Sequence, residues 1–140
     1  YDATAPTWEG NEIGDTYIEI SINQQHMWFY KNGSILVETD VVTGTLNKGY
    51  STPTGAYKLL NKARNQTLVG TSVEDPYESK VSYWLPFIGN LYGIHDASWR
   101  STYGGTIYYN NGSHGCVNTP YDKVQQIYEN IEIGTPVLIY

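Results

Sequence analysis

Ile18, Ile20 and Ile22 alternate with Glu19 and Ser21, the period of a half-buried β-strand opening near Tyr17. A second strand is predicted over residues 26–30. Asn32-Gly33, a strong short hairpin signal, then returns the chain into a third over 35–43. Gly44, Gly49 and Pro53-Thr54-Gly55 punctuate a loop before a strand near 57–60. The mixed polar stretch 61–80 predicts a loop or lid with a short strand, followed by strands at 81–85 and 91–95. Residues 96–112, rich in Gly, Ser, Asn and Tyr, predict a long surface loop of the kind that shapes a site.

Helical spacing is confined to one segment. Val124, Ile127, Tyr128 and Ile131 form an apolar stripe, with Thr119 as N-cap, Pro120 at the first helical position and Asp122 in a capping-box-like place. Gly134 ends this helix, and residues 136–140 read as a last strand. The pattern predicts a lead-in over 1–15, then a single mainly β domain with one principal helix, an α+β fold. There is no internal repeat or low-complexity tract.

The length of 140 residues suits one domain and buries about 68–70% of the unfolded surface, enough for a core without disulfides or metals. A formal net charge of −6 excludes nucleic acid and anionic membrane as main partners, since both require clustered Lys and Arg. No apolar run approaches the roughly 18 residues of a membrane span. The chain begins Tyr1-Asp2 without an initiator Met, so an export signal or anchor is expected to be missing from this fragment. A monomer is expected. Fourteen tyrosines and four tryptophans against two phenylalanines suit half-wet strands and grooves for polar polymers.

The chemistry concentrates around one cysteine. Cys116 lies in Ser113-His114-Gly115-Cys116-Val117-Asn118, and a second histidine, His95, lies upstream in Gly93-Ile94-His95-Asp96. A lone cysteine is more often a small buried hydrophobe than a catalyst, but its neighbours favour a nucleophile. Gly115 permits unusual backbone angles, and the helix start beyond Thr119 is expected to favour the thiolate. Backbone N–H groups of Gly115 and Cys116 are candidate oxyanion donors.

Either histidine can serve as base. An extended 114–116 segment would put His114 on the same face as the sulfur, about 6–7 Å along the strand. His95 closes a predicted strand and would arrive from a neighbouring one. Spacing leaves both open, and His26 reads as structural. Tyr83, Trp84, Trp99, Tyr103, Tyr108 and Tyr109 flank the motif as groove candidates, each equally explained by core packing. Arg100 suits a carboxylate, although a plain surface arginine is the better reading. Two rival classes remain: a glycan- or peptide-binding module in which Cys116 is incidental, and a zinc site of His95, His114 and Cys116.

His95, seventeen intervening residues and the hexapeptide from Ser113 to Asn118 together resemble the signature of the L,D-transpeptidase catalytic domain, the YkuD-like family. Thr52-Pro53-Thr54-Gly55 and Tyr92-Gly93-Ile94-His95-Asp96 are also similar to stretches common there. The resemblance covers most of the chain, from about Tyr17 to Tyr140.

The resemblance implies a β-sandwich-like catalytic domain over 16–140 that acts on bacterial peptidoglycan outside the cytoplasm and needs no metal or cofactor. Cys116 would be the nucleophile and His95, rather than the nearer His114, the general base. The Asp96 carbonyl would orient the His95 ring, while the Asp96 side chain is expected to face solvent. His114 would be a second functional histidine, Gly115 and Cys116 would donate to the oxyanion, and Ser113 and Asn118 would order the loop. With stem peptides as substrate, Cys116 would attack the third residue of a tetrapeptide and release terminal D-Ala. A side-chain amine of a neighbouring stem would then take the acyl group, giving a 3→3 cross-link. Water in its place would make an L,D-carboxypeptidase, and carbapenems are implied as acylating inhibitors.

Overall fold

The computed structural model describes residues 14–70 and 77–140. In chain order the strands are β1 (Tyr17–Ser21), β2 (His26–Lys31), β3 (Ser34–Asp40), β4 (Gly55–Lys58), β5 (Ala63–Gly70), β6 (Tyr77–Ile88), β7 (Tyr92–Asp96), β8 (Val117–Thr119) and β9 (Pro136–Ile139). The helices are α1 (Ile107–Asn111) and α2 (Tyr121–Asn130). One sheet has the order β3-β2-β1-β9-β4, the other β5-β6-β7-β8. The expected mainly β fold with one principal helix is the fold observed; the expected lead-in lies mostly outside the described residues.

Asn32 and Gly33 close the β2–β3 hairpin with φ of 53° and 83°, the left-handed pair a tight two-residue turn needs to match the strand twist. β1 pairs antiparallel with β2 and parallel with β9, so the two ends of the domain meet in one sheet. That central position corrects the half-buried expectation for β1. Glu19 and Ser21, expected on a wet face, are only 2% and 3% exposed.

Two further expectations change. The 61–80 stretch carries β5, an eight-residue edge strand paired along β6, rather than mainly loop. Thr119 is not the cap of α2: it belongs to β8, its hydroxyl bonds the Val117 carbonyl, and Pro120 occupies the cap without a side-chain hydrogen bond. The other end of α2 is well served, because Lys31 Nζ donates to the Asn130 carbonyl (2.6 Å) and Lys62 Nζ to that of Ile131 (2.9 Å). The loop expected at 96–112 holds α1 near its end.

Ile18, Ile20 and Phe29 from the five-stranded sheet, Leu85, Ile94 and Val117 from the four-stranded sheet, and Val124, Ile127 and Ile131 from the α2 segment form one buried core. A smaller cluster of Leu68, Val81, Trp84 and Cys116 lies apart from it. Burying apolar area at roughly 25 cal/mol per Å² makes the larger cluster the main stabiliser. The smaller one packs around the thiol.

Candidate active site

Cys116 enters β8 from a tight turn rather than an extended run, so the expected shared face with His114 does not form. Ser113 builds that turn. Its hydroxyl donates to the Cys116 carbonyl and accepts the Gly115 N–H at 3.1 Å. Gly115 adopts φ 129°, and a Cβ there would lie 2.2 Å from Tyr92 Cε1, so only glycine fits between turn and ring. Thr52 braces the same turn from another loop, its hydroxyl donating to the Gly115 carbonyl (2.7 Å) and accepting from Gly44 N (3.0 Å). Gly115 was expected to donate to an oxyanion; its N–H is instead engaged by Ser113.

His95 arrives on β7, which runs parallel to β8 with His95 opposite Asn118. Cys116 precedes Asn118 by two residues, at most about 7 Å of chain, so the parallel pairing brings imidazole and thiol close together. His95 Nδ1 lies 2.6 Å from the Asp96 carbonyl, which accepts a hydrogen bond. Nδ1 therefore carries the proton and Nε2 holds the free lone pair.

The Asp96 side chain does not face solvent. It is 4% exposed, and its carboxylate accepts the consecutive N–H groups of Ser82 (2.8 Å) and Tyr83 (2.9 Å). Two successive N–H groups aimed at one acceptor break the regular alternation of β6. The break explains why Val81 and Trp84, three residues apart, share the cluster around Cys116, while Tyr83 and Leu85 enter the main core.

That switch corrects two expected groove residues. Tyr83 packs against Tyr121 and Tyr128 of α2 with Arg64 over its ring, away from the thiol. Trp84 is 2% exposed and supports His95 from the side, with ring centroids 5.9 Å apart and its Nε1 bonded to Asn90. Tyr103, Tyr108 and Tyr109 also lie outside the described lining of the site cavity.

A cavity of about 490 Å³ brings together His95, Trp99, Arg100, Ser113, His114, Cys116 and Asn118. Trp99, half exposed, stands 6.0 Å from the His95 ring, and Tyr50 flanks His114 at 5.0 Å. Arg100 is fixed from two sides. Its Nη1 donates to the Asn111 carbonyl (2.8 Å), and its Nε (2.8 Å) and Nη2 (3.3 Å) face the Asn118 side-chain oxygen. Among the described residues no three His, Cys, Asp or Glu side chains are grouped to hold a metal ion.

Burial pushes the Cys116 thiol up to about 11, with a Gly93 backbone hydrogen bond pulling the other way. The nearby start of α2 was expected to favour the thiolate, yet desolvation prevails, and the S–H faces the Leu91 carbonyl at 3.6 Å. Burial also lowers the His95 pKa; the Asp96 carbonyl and carboxylate oppose this, and the Arg100 charge adds to it. Both effects favour neutral partners at rest: a thiol beside a neutral imidazole.

The hexapeptide at Ser113–Asn118 and His95 were visible in the sequence. Thr52, Tyr92 and Tyr50 were not assigned there. Thr52 and Tyr92 had a signal, since they open the Thr52-Pro53-Thr54-Gly55 and Tyr92-Gly93-Ile94-His95-Asp96 stretches; Tyr50 had none.

Residues 15–139 match the family model for YkuD, the L,D-transpeptidase catalytic domain. A crystal structure of a cysteine-to-serine mutant of Enterococcus faecium L,D-transpeptidase superposes with a TM-score of 0.84 at 44% identity, covering 90% of this chain and 50% of that one. The NMR structure of the E. faecium catalytic domain acylated by ertapenem gives 0.77 at 44% identity, covering 90% and 97%. A probable L,D-transpeptidase 3 of Mycobacterium tuberculosis is 31% identical over 96 residues, covering 64% of this chain and 34% of that protein. The chain thus spans between a third and a half of the full-length proteins among these.

Proposed function

Because the chain belongs to the L,D-transpeptidase catalytic domain family, we propose that it is a cysteine acyltransferase that cross-links peptidoglycan stems. The observation that carries this reading is the convergence of Cys116 and His95 on one cavity, with His95 Nδ1 held by the Asp96 carbonyl.

In this reading both groups begin neutral. Cys116 Sγ attacks the carbonyl of the third residue of a tetrapeptide stem while His95 Nε2 takes its proton. The Cys116 backbone N–H is the motif's remaining donor for the oxyanion once Gly115 is engaged by Ser113. The imidazolium returns the proton to the departing D-Ala nitrogen, leaving a thioester. A side-chain amine of a second stem then attacks the thioester, losing a proton to His95, and a 3→3 cross-link forms as Cys116 is released. Peptidoglycan lies outside the membrane, so the domain works there. The ertapenem-acylated relative supports carbapenems as acylating inhibitors of Cys116.

Intact-protein mass spectrometry with a tetrapeptide donor or a carbapenem tests the assignment. A covalent adduct on the native chain, lost in Cys116→Ala, is the expected outcome. A folded protein that gains no mass from either reagent would overturn it. To assign the base, His95→Gln should abolish acylation while His114→Gln retains a measurable rate; the reverse ranking would move the role to His114.

A further inference from the structure

We propose that Arg100 recognises the terminal carboxylate of the donor's leaving residue, so that the cavity selects stems ending one residue beyond the attacked carbonyl. The proposal rests on the acyltransferase reading above.

Arg100 is the only permanently charged side chain among the described residues lining the cavity that holds Cys116 and His95. It sits in a chain of net charge −6, yet among the described residues it has no carboxylate partner. Its acceptors are neutral: the Asn111 carbonyl and the Asn118 side-chain oxygen. A guanidinium has five N–H donors, and these two acceptors engage three of them, one on Nη1 and one each on Nε and Nη2. One N–H on each Nη is then left over, two donors from which a carboxylate can accept. Burial lowers the Arg100 pKa, and among the described residues the charge effect raising it comes from Tyr103. The cation is partly desolvated and held by two neutral acceptors, with no compensating anion among the described residues.

The reach of the site selects the anion. Asn118, which holds the guanidinium, lies two residues from Cys116, at most about 7 Å of chain, and both line the same cavity as Arg100. A single leaving amino acid carries its carboxylate about one residue's span, roughly 3.8 Å, beyond the attacked carbonyl. Adding the bond that forms to sulfur brings that carboxylate to the region of Arg100. A leaving dipeptide would carry its carboxylate one further span past it. A bound carboxylate would also offset the Arg100 field at His95, which lowers the basicity of the imidazole. Correct substrate would thus strengthen its own general base.

The test compares two donors, a tetrapeptide with a free terminal carboxylate and the same peptide as a terminal carboxamide, by steady-state kinetics on the native chain, Arg100→Gln and Arg100→Lys. Native protein should prefer the acid by on the order of tenfold to a hundredfold in kcat/KM, the range set by losing charge-assisted hydrogen bonds. Arg100→Gln should bring the ratio to near one, mainly by losing rate on the acid, and Arg100→Lys should restore part of it. Equal loss on both donors in Arg100→Gln would reduce Arg100 to a brace between Asn111 and Asn118 and overturn the proposal. Native protein that uses both donors equally would overturn it while leaving the acyltransferase reading intact. Turnover of neither donor would remove both.

Discussion

His95 Nδ1 and the carbonyl oxygen of Asp96, its neighbour in β7, are 2.6 Å apart, so the imidazole is oriented by the backbone of its own strand. The Asp96 carboxylate has a separate task on the Ser82 and Tyr83 amides of β6. Orientation and sheet geometry are thus divided between two groups of one residue.

Asp96→Ala keeps the carbonyl but strands two N–H groups, that of Tyr83 buried and that of Ser82 part-buried. A loss on the order of 3 kcal/mol in urea unfolding is expected. The displaced β6 segment should also slow acylation of Cys116. Asp96→Asn retains one acceptor oxygen and should lie between the two. Unchanged stability in Asp96→Ala would mean that the amides find water instead.

The raised Cys116 pKa links folding to pH. The folded thiol titrates near 11 against an ordinary 9.0, so its stabilising contribution is full below about 9 and lost as pH rises through 11. The contribution is on the order of 2 kcal/mol, and Cys116→Ala should remove this alkaline loss. His95 behaves oppositely. Its lowered pKa gives stability present above 6.5 and lost as pH falls through the folded value. Chemical denaturation across pH 5 to 11 checks both arms.

Iodoacetamide should label native Cys116 slowly at neutral pH, with a rate still climbing through pH 9. A plateau at pH 6–7 would reveal a preformed thiolate–imidazolium pair and contradict the neutral resting state.

Gly115→Ala places a Cβ 2.2 Å from Tyr92 Cε1 at a φ of 129°. It should cost more than about 2 kcal/mol and lower acylation by two orders of magnitude or more. Adding Tyr92→Ala should recover part of the stability, because the clash but not the backbone strain is relieved. Strict additivity of the two losses, measured by thermal melts, would show that ring and turn are uncoupled.

Thr52→Val preserves shape but leaves Gly44 N–H and the Gly115 carbonyl without their hydroxyl partner. A loss of about 3 kcal/mol is expected, with Thr52→Ser close to native. Equal melting temperatures for the two variants would contradict the bracing role.

The sequence made legible those parts whose physics is local. The Asn32-Gly33 turn, the apolar stripe of α2 and the hexapeptide around Cys116 each announce themselves within a few residues. β5 was missed because Arg64, Asn65, Gln66 and Thr67 are exposed and Leu68 is its buried apolar residue among those described, so no alternation marks it. Tyr83 was assigned to the wrong face because a break fixed by Asp96, on another strand, reverses the period of β6. The Gly115 N–H looked available until the turn gave it to the Ser113 hydroxyl. Each miss involves a partner supplied by tertiary folding or turn geometry.

The buried, protonated state of Cys116 has a consequence for survival as well as for rate. Thiolates attack peroxide and small disulfides and are oxidised by them, and at neutral pH a thiol titrating near 11 offers on the order of one thiolate in ten thousand molecules. A lone sulfur that met such oxidants as a thiolate would otherwise be lost step by step to sulfenic and sulfinic acids. In the proposed reaction, delaying deprotonation until a donor occupies the cavity would protect the sulfur from oxidants that cannot engage His95. The same desolvation that raises the barrier to ionisation gives the catalyst its shelf life.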